Sequence, residues 1–208
     1  MPNKIFDICG TLYKSNTTMD FCEFRCDSKM LKSLLVLSKT LPSKILNKIL
    51  IKLFDFDMIR NFHIYSLKNK TAEQLEKDAK FFIEQYLELK KIDEVHKKLE
   101  DFPKEEIILV SATIKPIAKA ISEKLGNLKY LSTTLQYKDG VCLGKISEDL
   151  LGEKHKYFHG QEIDFIITDN KSDYDLCLIA KEVIIVSNKK NKSFWQSKDL
   201  QNYKIIEI

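Results

Sequence analysis

Asp7 closes a short apolar run, Ile5-Phe6-Asp7, and leads into Ile8-Cys9-Gly10-Thr11-Leu12. Three later segments supply, in order, the groups that a carboxylate nucleophile attacking an anionic centre needs. They are Ser111 after Ile107-Ile108-Leu109-Val110, Lys154 within Gly152-Glu153-Lys154, and Asp169 with Asp173 after Phe165-Ile166-Ile167-Thr168. A hydroxyl can hold an oxygen, a lysine can neutralise developing charge, and an acidic loop can hold a hard cation. Singly, each residue has a plainer reading: Asp7 as a turn residue, Ser111 as a helix cap, Lys154 as one lysine of a solvated loop shared with Lys145 and Lys156. The ordered set is what points to chemistry.

The elements that must position these groups are legible as two patterns. Residues 4 to 8 and about 104 to 208 alternate strand-like and helix-like segments, and Ile107 to Val110, Phe165 to Ile167 and Val183 to Val186 have the apolar character and length of buried parallel strands. Between them, from about 15 to 102, the period becomes helical. Leu75, Ala79, Phe82, Ile83, Tyr86 and Leu87 recur at three-to-four spacing, with Thr71 and Gln74 placed as a capping box. A second helix is expected over Ser43 to Leu53, with Ile45, Leu46, Ile49, Leu50 and Leu53 on a packed face and Lys44, Lys48 and Lys52 on a solvated one. Pro103 closes the helical stretch, Pro116 and Gly126 bound a further helix, and Asp139-Gly140 turns a hairpin.

Composition sets outer limits. At 208 residues, 44% hydrophobic and 31% charged, the chain carries enough apolar material for one main core and an inserted subdomain, which excludes a disordered or fibrous protein. The net charge of +4 is small and rests on lysine, since Arg25 and Arg60 are the two arginines, so nucleic-acid binding is not indicated. Five cysteines form no paired framework, and Cys22 with Cys26 lacks a second ligand pair for zinc; reduced thiols in the cytoplasm are expected. Asp7 follows too closely on the start for a secretion signal to precede it, and the apolar stretch Leu31 to Phe54 is interrupted by too many lysines to span a bilayer. From Ser28 to Phe54 there are six lysines and no acid, which reads either as a solvated face or as attraction for an anionic substrate or membrane surface.

Taken together, the segments resemble the haloacid dehalogenase-like superfamily in its phosphoserine-phosphatase-like branch. The resemblance rests on Asp7-x-Cys9-Gly10-Thr11, Ser111-Ala112-Thr113, Lys138-Asp139-Gly140 leading to Gly144, Gly152-Glu153-Lys154, and Asp169-Asn170-Lys171-Ser172-Asp173, over about the full length. It implies an α/β fold, a three-layer Rossmann-like parallel sheet core of residues 1–14 and 104–208, with an α-helical cap of residues 15–103 inserted after the first motif. It implies an aspartyl-phosphate on Asp7 and a Mg²⁺ held by Asp7, the main-chain carbonyl of Cys9 and Asp169, with Asp173 placed to position Lys154 or the metal's waters. Gly10, Thr11, Ser111, Ala112 and Lys154 would hold the phosphoryl group. Lys154 is preferred over Lys156 because it follows Gly152-Glu153, and no role falls to His155 or His159.

One position departs from that pattern. The family's second Asp of the first motif, its general acid and base, is Cys9 here. A thiol with a reference pKa of about 8.5 is mostly protonated at neutral pH and shuttles protons to oxygen poorly. Three readings follow: a slow or specialised phosphatase, which is preferred, a carbon-halogen or carbon-phosphorus cleavage on the same scaffold, or a silent phosphate-binding module. The branch's substrate-reading Glu is replaced by Asn16, which weakens phosphoserine itself as substrate. Phe21, Phe24, Arg25, Arg60 and His63 of the cap are candidates to reach a small phosphorylated metabolite or a phospholipid head group.

Overall fold

The computed structural model describes residues 3–208. A strand β1 (Lys4–Phe6) is followed by six α-helices before the next strand: α1 (Thr17–Arg25), α2 (Lys29–Ser38), α3 (Leu41–Phe54), α4 (Met58–Tyr65), α5 (Ala72–Phe82) and α6 (Asp93–Glu100). The chain then alternates through β2 (Ile107–Ile114), α7 (Lys115–Lys124), β3 (Lys129–Lys138) and β4 (Val141–Glu148). It ends with β5 (Ile163–Thr168), α8 (Tyr174–Ile179), β6 (Ala180–Ser187), α9 (Lys189–Gln196) and β7 (Tyr203–Glu207). The expected capping box is present: Thr71 accepts from the Gln74 amide, and Gln74 accepts from the Thr71 amide, fixing the start of α5.

The strands form one sheet in the order β4-β3-β2-β1-β5-β6-β7, parallel except where β4 returns against β3. β1 lies between β2 and β5, with Phe6 in register with Leu109 on one side and Ile167 on the other. One residue past Phe6, and two past Leu109 and Ile167, these strands carry Asp7, Ser111 and Asp169 to the same edge of the sheet. This is the switch point where open α/β sheets form a crevice. Successive residues of the central strands serve opposite faces. Phe6, Leu109 and Ile167 pack with Phe21, Phe82 and Ile117, while Ile5, Ile108 and Ile166 pack with Leu176 and Trp195. Helices thus cover both faces, giving three layers, and the buried Trp195 settles the packing of the last helix.

Two strands run longer than the sequence pattern indicates. β2 continues past Ser111 to Ile114, with an irregular register against β3 over that interval. There the Ile114 amide donates to Thr18 Oγ1 (3.2 Å) and the Thr113 and Thr17 hydroxyls meet, so contacts with α1 draw the strand end out of line. β3 begins at Lys129, parallel to β2, before its end pairs antiparallel with β4. The hairpin is stitched to the helical insertion by backbone bonds: Asn69 N to Cys142 O (2.9 Å), Cys142 N to Lys70 O (2.8 Å) and Ala72 N to Gly140 O (2.9 Å).

The expectation for α3 is reversed in part. The helix forms over Leu41–Phe54, but its apolar face is not packed: Ile45, Leu46, Ile49 and Leu53 are exposed and Leu50 only partly covered. The buried position is Asn47, whose amide donates to Asp57 Oδ1 and accepts from the Ile59 amide, both at 3.0 Å. A polar bond, rather than the apolar stripe, fastens this helix to α4.

Candidate active site

Asp7 sits at the floor of the crevice, 2% exposed, its amide bonded to Ile167 O (3.0 Å) and its Oδ1 accepting from the Ile8 amide (2.8 Å). Lys154 enters from the opposite side, on a short 3₁₀ turn, and is 3% exposed. Its Nζ lies 3.1 Å from Asp7 Oδ1 and 2.7 Å from Asp173 Oδ2. Burial alone would lower the lysine's pKa, but Asp7 and Asp173 together hold it above its ordinary value, so the ammonium stays charged. Asp7 is shifted the other way. Burial raises its pKa, with Asp173 adding, against the opposing pull of Lys154 and a hydrogen bond from Ser111.

Asp169 closes the far wall. Its carboxyl is pushed up to about 7 by burial and by the neighbouring Asp7 charge, with Lys154 opposing. Thr11 ties it to the first loop, since the Asp169 amide donates to Thr11 Oγ1 (2.9 Å) and that hydroxyl donates to Asp169 Oδ1 (3.3 Å). Gly10 makes this closeness possible: its φ is +75°, and a Cβ there would land inside the Asp169 carboxylate.

Cys9 faces the same cleft. Its thiol donates to Ser15 O (3.2 Å) and accepts from the Thr17 amide (3.3 Å). Burial, followed by the Asp7 charge, pushes its pKa up to about 12. The five cysteines are free thiols, and Cys22 is buried in the core.

The cleft has a volume of about 290 Å³. Asp7, Cys9, Ser111, Ala112, Lys154 and Asp169 line it together, as does Asn16, which also caps α1. Arg60 reaches it as well, but its guanidinium is paired with Asp149 and donates to Ala112 O (3.0 Å) and Thr133 Oγ1 (3.1 Å). The arginine therefore joins α4 to the sheet and takes up the Ala112 carbonyl.

Three expected placements need correction. Phe21 does not line the cleft; it is fully buried in an edge-to-face contact with Phe82, because its side of α1 is the core side. Arg25 lies away from the cleft, paired with Asp78 and with Asp27 (2.9 Å). His63 is buried between Ile59 O and Glu23. Asp173, expected to position Lys154 or the metal's waters, does the former, its Oδ2 shared between that ammonium and the Thr168 hydroxyl (2.7 Å). Lys156 is exposed and paired with Glu153, which leaves Lys154 as the lysine of the cleft. Thr168 and Asp149 went unnoticed in the sequence. Thr168 ends an apolar strand and offered a weak signal, whereas the Arg60–Asp149 pair spans 89 positions and offered none.

Two carboxylates raised by burial, with a glycine cleared for their approach, suit a divalent cation. Mg²⁺ takes one or two carboxylates and completes its shell with water and substrate phosphate. Among the described residues no three or more His, Cys, Asp or Glu side chains form a metal-holding group, so Asp7 and Asp169 would need the Cys9 carbonyl and solvent to complete the shell.

The sequence profile of haloacid dehalogenase-like hydrolases matches residues 5–177. The chain belongs to that family. No curated protein matches it in sequence. Among solved structures, a Bordetella pertussis Tohama I protein of unknown function superposes with a TM-score of 0.67 at 15% identity, covering 98% of this chain and 99% of that one. A phosphoserine phosphohydrolase-like protein from Francisella tularensis gives 0.63 at 16% identity over 98% and 95%. A substrate-bound phosphoserine phosphatase gives 0.51 at 19% identity over 89% and 86%. At these identities the likeness concerns the fold. No helix among the described residues is long and apolar enough to cross a membrane.

Proposed function

We propose that this haloacid dehalogenase-like hydrolase is a Mg²⁺-dependent phosphatase of a small phosphomonoester, with residues 15–103 acting as a cap over a core of 1–14 and 104–208. The observation that carries this reading is Lys154, buried and charged between Asp7 and Asp173 at the cleft floor. An ammonium so held neutralises both the nucleophile and the oxygens of a phosphoryl group.

An Asp7 oxygen attacks phosphorus, the bond to the leaving oxygen breaks with its electron pair, and an aspartyl-phosphate forms. Water then attacks that phosphorus, the bond to Asp7 breaks, and phosphate departs with the carboxylate restored. Ser111 and Lys154, which line the cleft, hold the phosphoryl oxygens, whereas the Gly10 and Thr11 amides are taken up by Tyr13, Ser15 and Ile8 carbonyls of their own loop. When bound by Asp7, Asp169 and the Cys9 carbonyl, Mg²⁺ supplies charge neutralisation at the phosphate.

Cys9 limits the rate. Its pKa, pushed up to about 12 by burial, leaves no thiolate to deprotonate water at neutral pH, and its hydrogen is directed at Ser15 O rather than at a leaving oxygen. A positioned carboxyl in that role contributes about 10²- to 10⁴-fold. The fitting substrate has a weakly basic leaving group or brings its own acid. The free thiols suit a reducing, cytoplasmic compartment.

The test is hydrolysis of an activated aryl phosphate with Mg²⁺ by wild type, Asp7→Asn and Cys9→Asp. Turnover abolished in the first variant and raised in the second supports a muted phosphatase. Inertness of all three, with beryllium fluoride still protecting against unfolding, assigns a phosphate-binding module instead.

A further inference from the structure

The hairpin of α2 and α3 turns its apolar side away from the rest of the protein. On α3, Leu41, Ile45, Ile49 and Leu53 recur every fourth residue and are exposed, Leu41 at 72% and Leu53 at 65%. On α2 only Leu35 is buried, and Val36 and Leu37 are exposed beside Lys29 and Lys32 in an open groove of about 610 Å³. Contiguous apolar surface of this kind marks an interaction site rather than a water-covered face.

Charge identifies the occupant. Between Ser28 and Phe54 there are six lysines and no acid. Among the described residues, Lys39 pairs with Glu23 (2.6 Å), whereas Lys29, Lys32, Lys44, Lys48 and Lys52 have no carboxylate within ion-pair distance. A second copy would bring this lysine set against itself. An apolar stripe flanked by unpaired lysines, on helices too short to cross a bilayer, is the pattern of a segment that lies in the interface of an anionic membrane.

We propose that the α2–α3 hairpin docks on the anionic surface of a phospholipid bilayer. Asn47, on the buried side of α3, bonds Asp57, which lines the cleft, so the docked face lies close to the site without lining it. The proposal rests on surface and charge and stands apart from the chemistry at Asp7.

The test is co-sedimentation of the full chain with vesicles of phosphatidylcholine alone or mixed with phosphatidylglycerol, at low and high salt. The variants are Lys44→Glu/Lys48→Glu/Lys52→Glu and Ile45→Ser/Ile49→Ser. All five side chains are exposed, and unchanged far-ultraviolet dichroism and urea midpoints establish that the fold is kept. Expected are a preference of at least about tenfold for the anionic vesicles, its loss at high salt, and a similar loss in each variant. Equal binding to both vesicle types, no binding, or variants that bind as wild type would overturn the proposal. So would light scattering showing a lipid-free dimer that Ile45→Ser/Ile49→Ser dissolves, which would assign the face to a second copy.

Discussion

Replacing Lys154 by Met tests the electrostatic centre of the site through stability, independently of substrate. The ammonium contacts Asp7 at 3.1 Å and Asp173 at 2.7 Å, and all three groups are at most 3% exposed. Removing one partner of a buried pair costs about 3–5 kcal/mol. The two pairs share one cation, so their costs do not add. Ser111, Thr168 and the Ile8 amide continue to serve the carboxylates, and Asp7 can escape its charge by taking a proton, which argues for the low end, about 3 kcal/mol at pH 8. Without Lys154 the folded-state pKa of Asp7, already raised by burial, rises further. The folded variant then binds a proton that the folded wild type does not, so its deficit shrinks as pH falls through that raised pKa. Urea unfolding followed by the fluorescence of buried Trp195 at pH 8 and pH 5 measures both quantities. The exposed Lys156→Met serves as control, with a loss of about 0.5 kcal/mol or less. A deficit below about 1 kcal/mol at pH 8, or one of equal size at both pH values, would refute the reasoning.

Two further outcomes follow from local geometry. Gly10→Ala should lose about 1–2 kcal/mol from its left-handed backbone, and its methyl should displace Asp169, so the rise in melting temperature on adding Mg²⁺ should fall more than stability does. A variant with an undiminished Mg²⁺ response would disconnect Gly10 from the cation. His96, whose Nε2 donates to Leu12 O, has its pKa lowered from 6.5 to about 4 by burial, with Lys91 adding. The unfolded chain therefore takes up the proton first, and wild type loses stability as pH falls from about 6.5 to about 4, a slope that His96→Gln should reduce. Parallel urea-midpoint profiles for the two proteins would exclude His96 as the source.

The site was legible where it depends on strand ends. A buried parallel strand announces itself by an uninterrupted apolar run, and the residue after it is carried to the crevice by topology, so Asp7, Ser111 and Asp169 could be picked out before any coordinates. Lys154 was separable from Lys156 only through the resemblance, since both lie in one polar loop; burial of the first and exposure of the second supply the physical distinction. The helical insertion was legible as helices but not as surfaces. Phe21 and the stripe on α3 are alike apolar residues of the helical insertion, yet one is buried against Phe82 and the other faces outward. Amphipathic spacing fixes which residues share a face and is silent on whether a partner covers it. Arg25 and Arg60 were indistinguishable for a related reason: their carboxylate partners, Asp78 and Asp149, lie 53 and 89 positions away.

The backbone stitching between residues 69–72 and the β3–β4 hairpin bears on how a ligand gets in. Swinging the whole insertion outward as a rigid lid would sever the three main-chain hydrogen bonds at residues 69–72 and extract the Arg60 side chain from Ala112, Thr133 and Asp149. With each ordinary bond worth about 0.5–1.5 kcal/mol net, that motion carries a barrier of several kcal/mol before any apolar contact is counted. The α2–α3 segment is tied down by Asn47 to α4, by the buried Leu35 and by the Lys39–Glu23 pair, with no main-chain bond to the sheet among the described residues. The outward apolar stripe thus rides on a lightly tied pair of helices one step removed from the cleft, which is lined from α1, α4 and the strand ends rather than from α2 or α3.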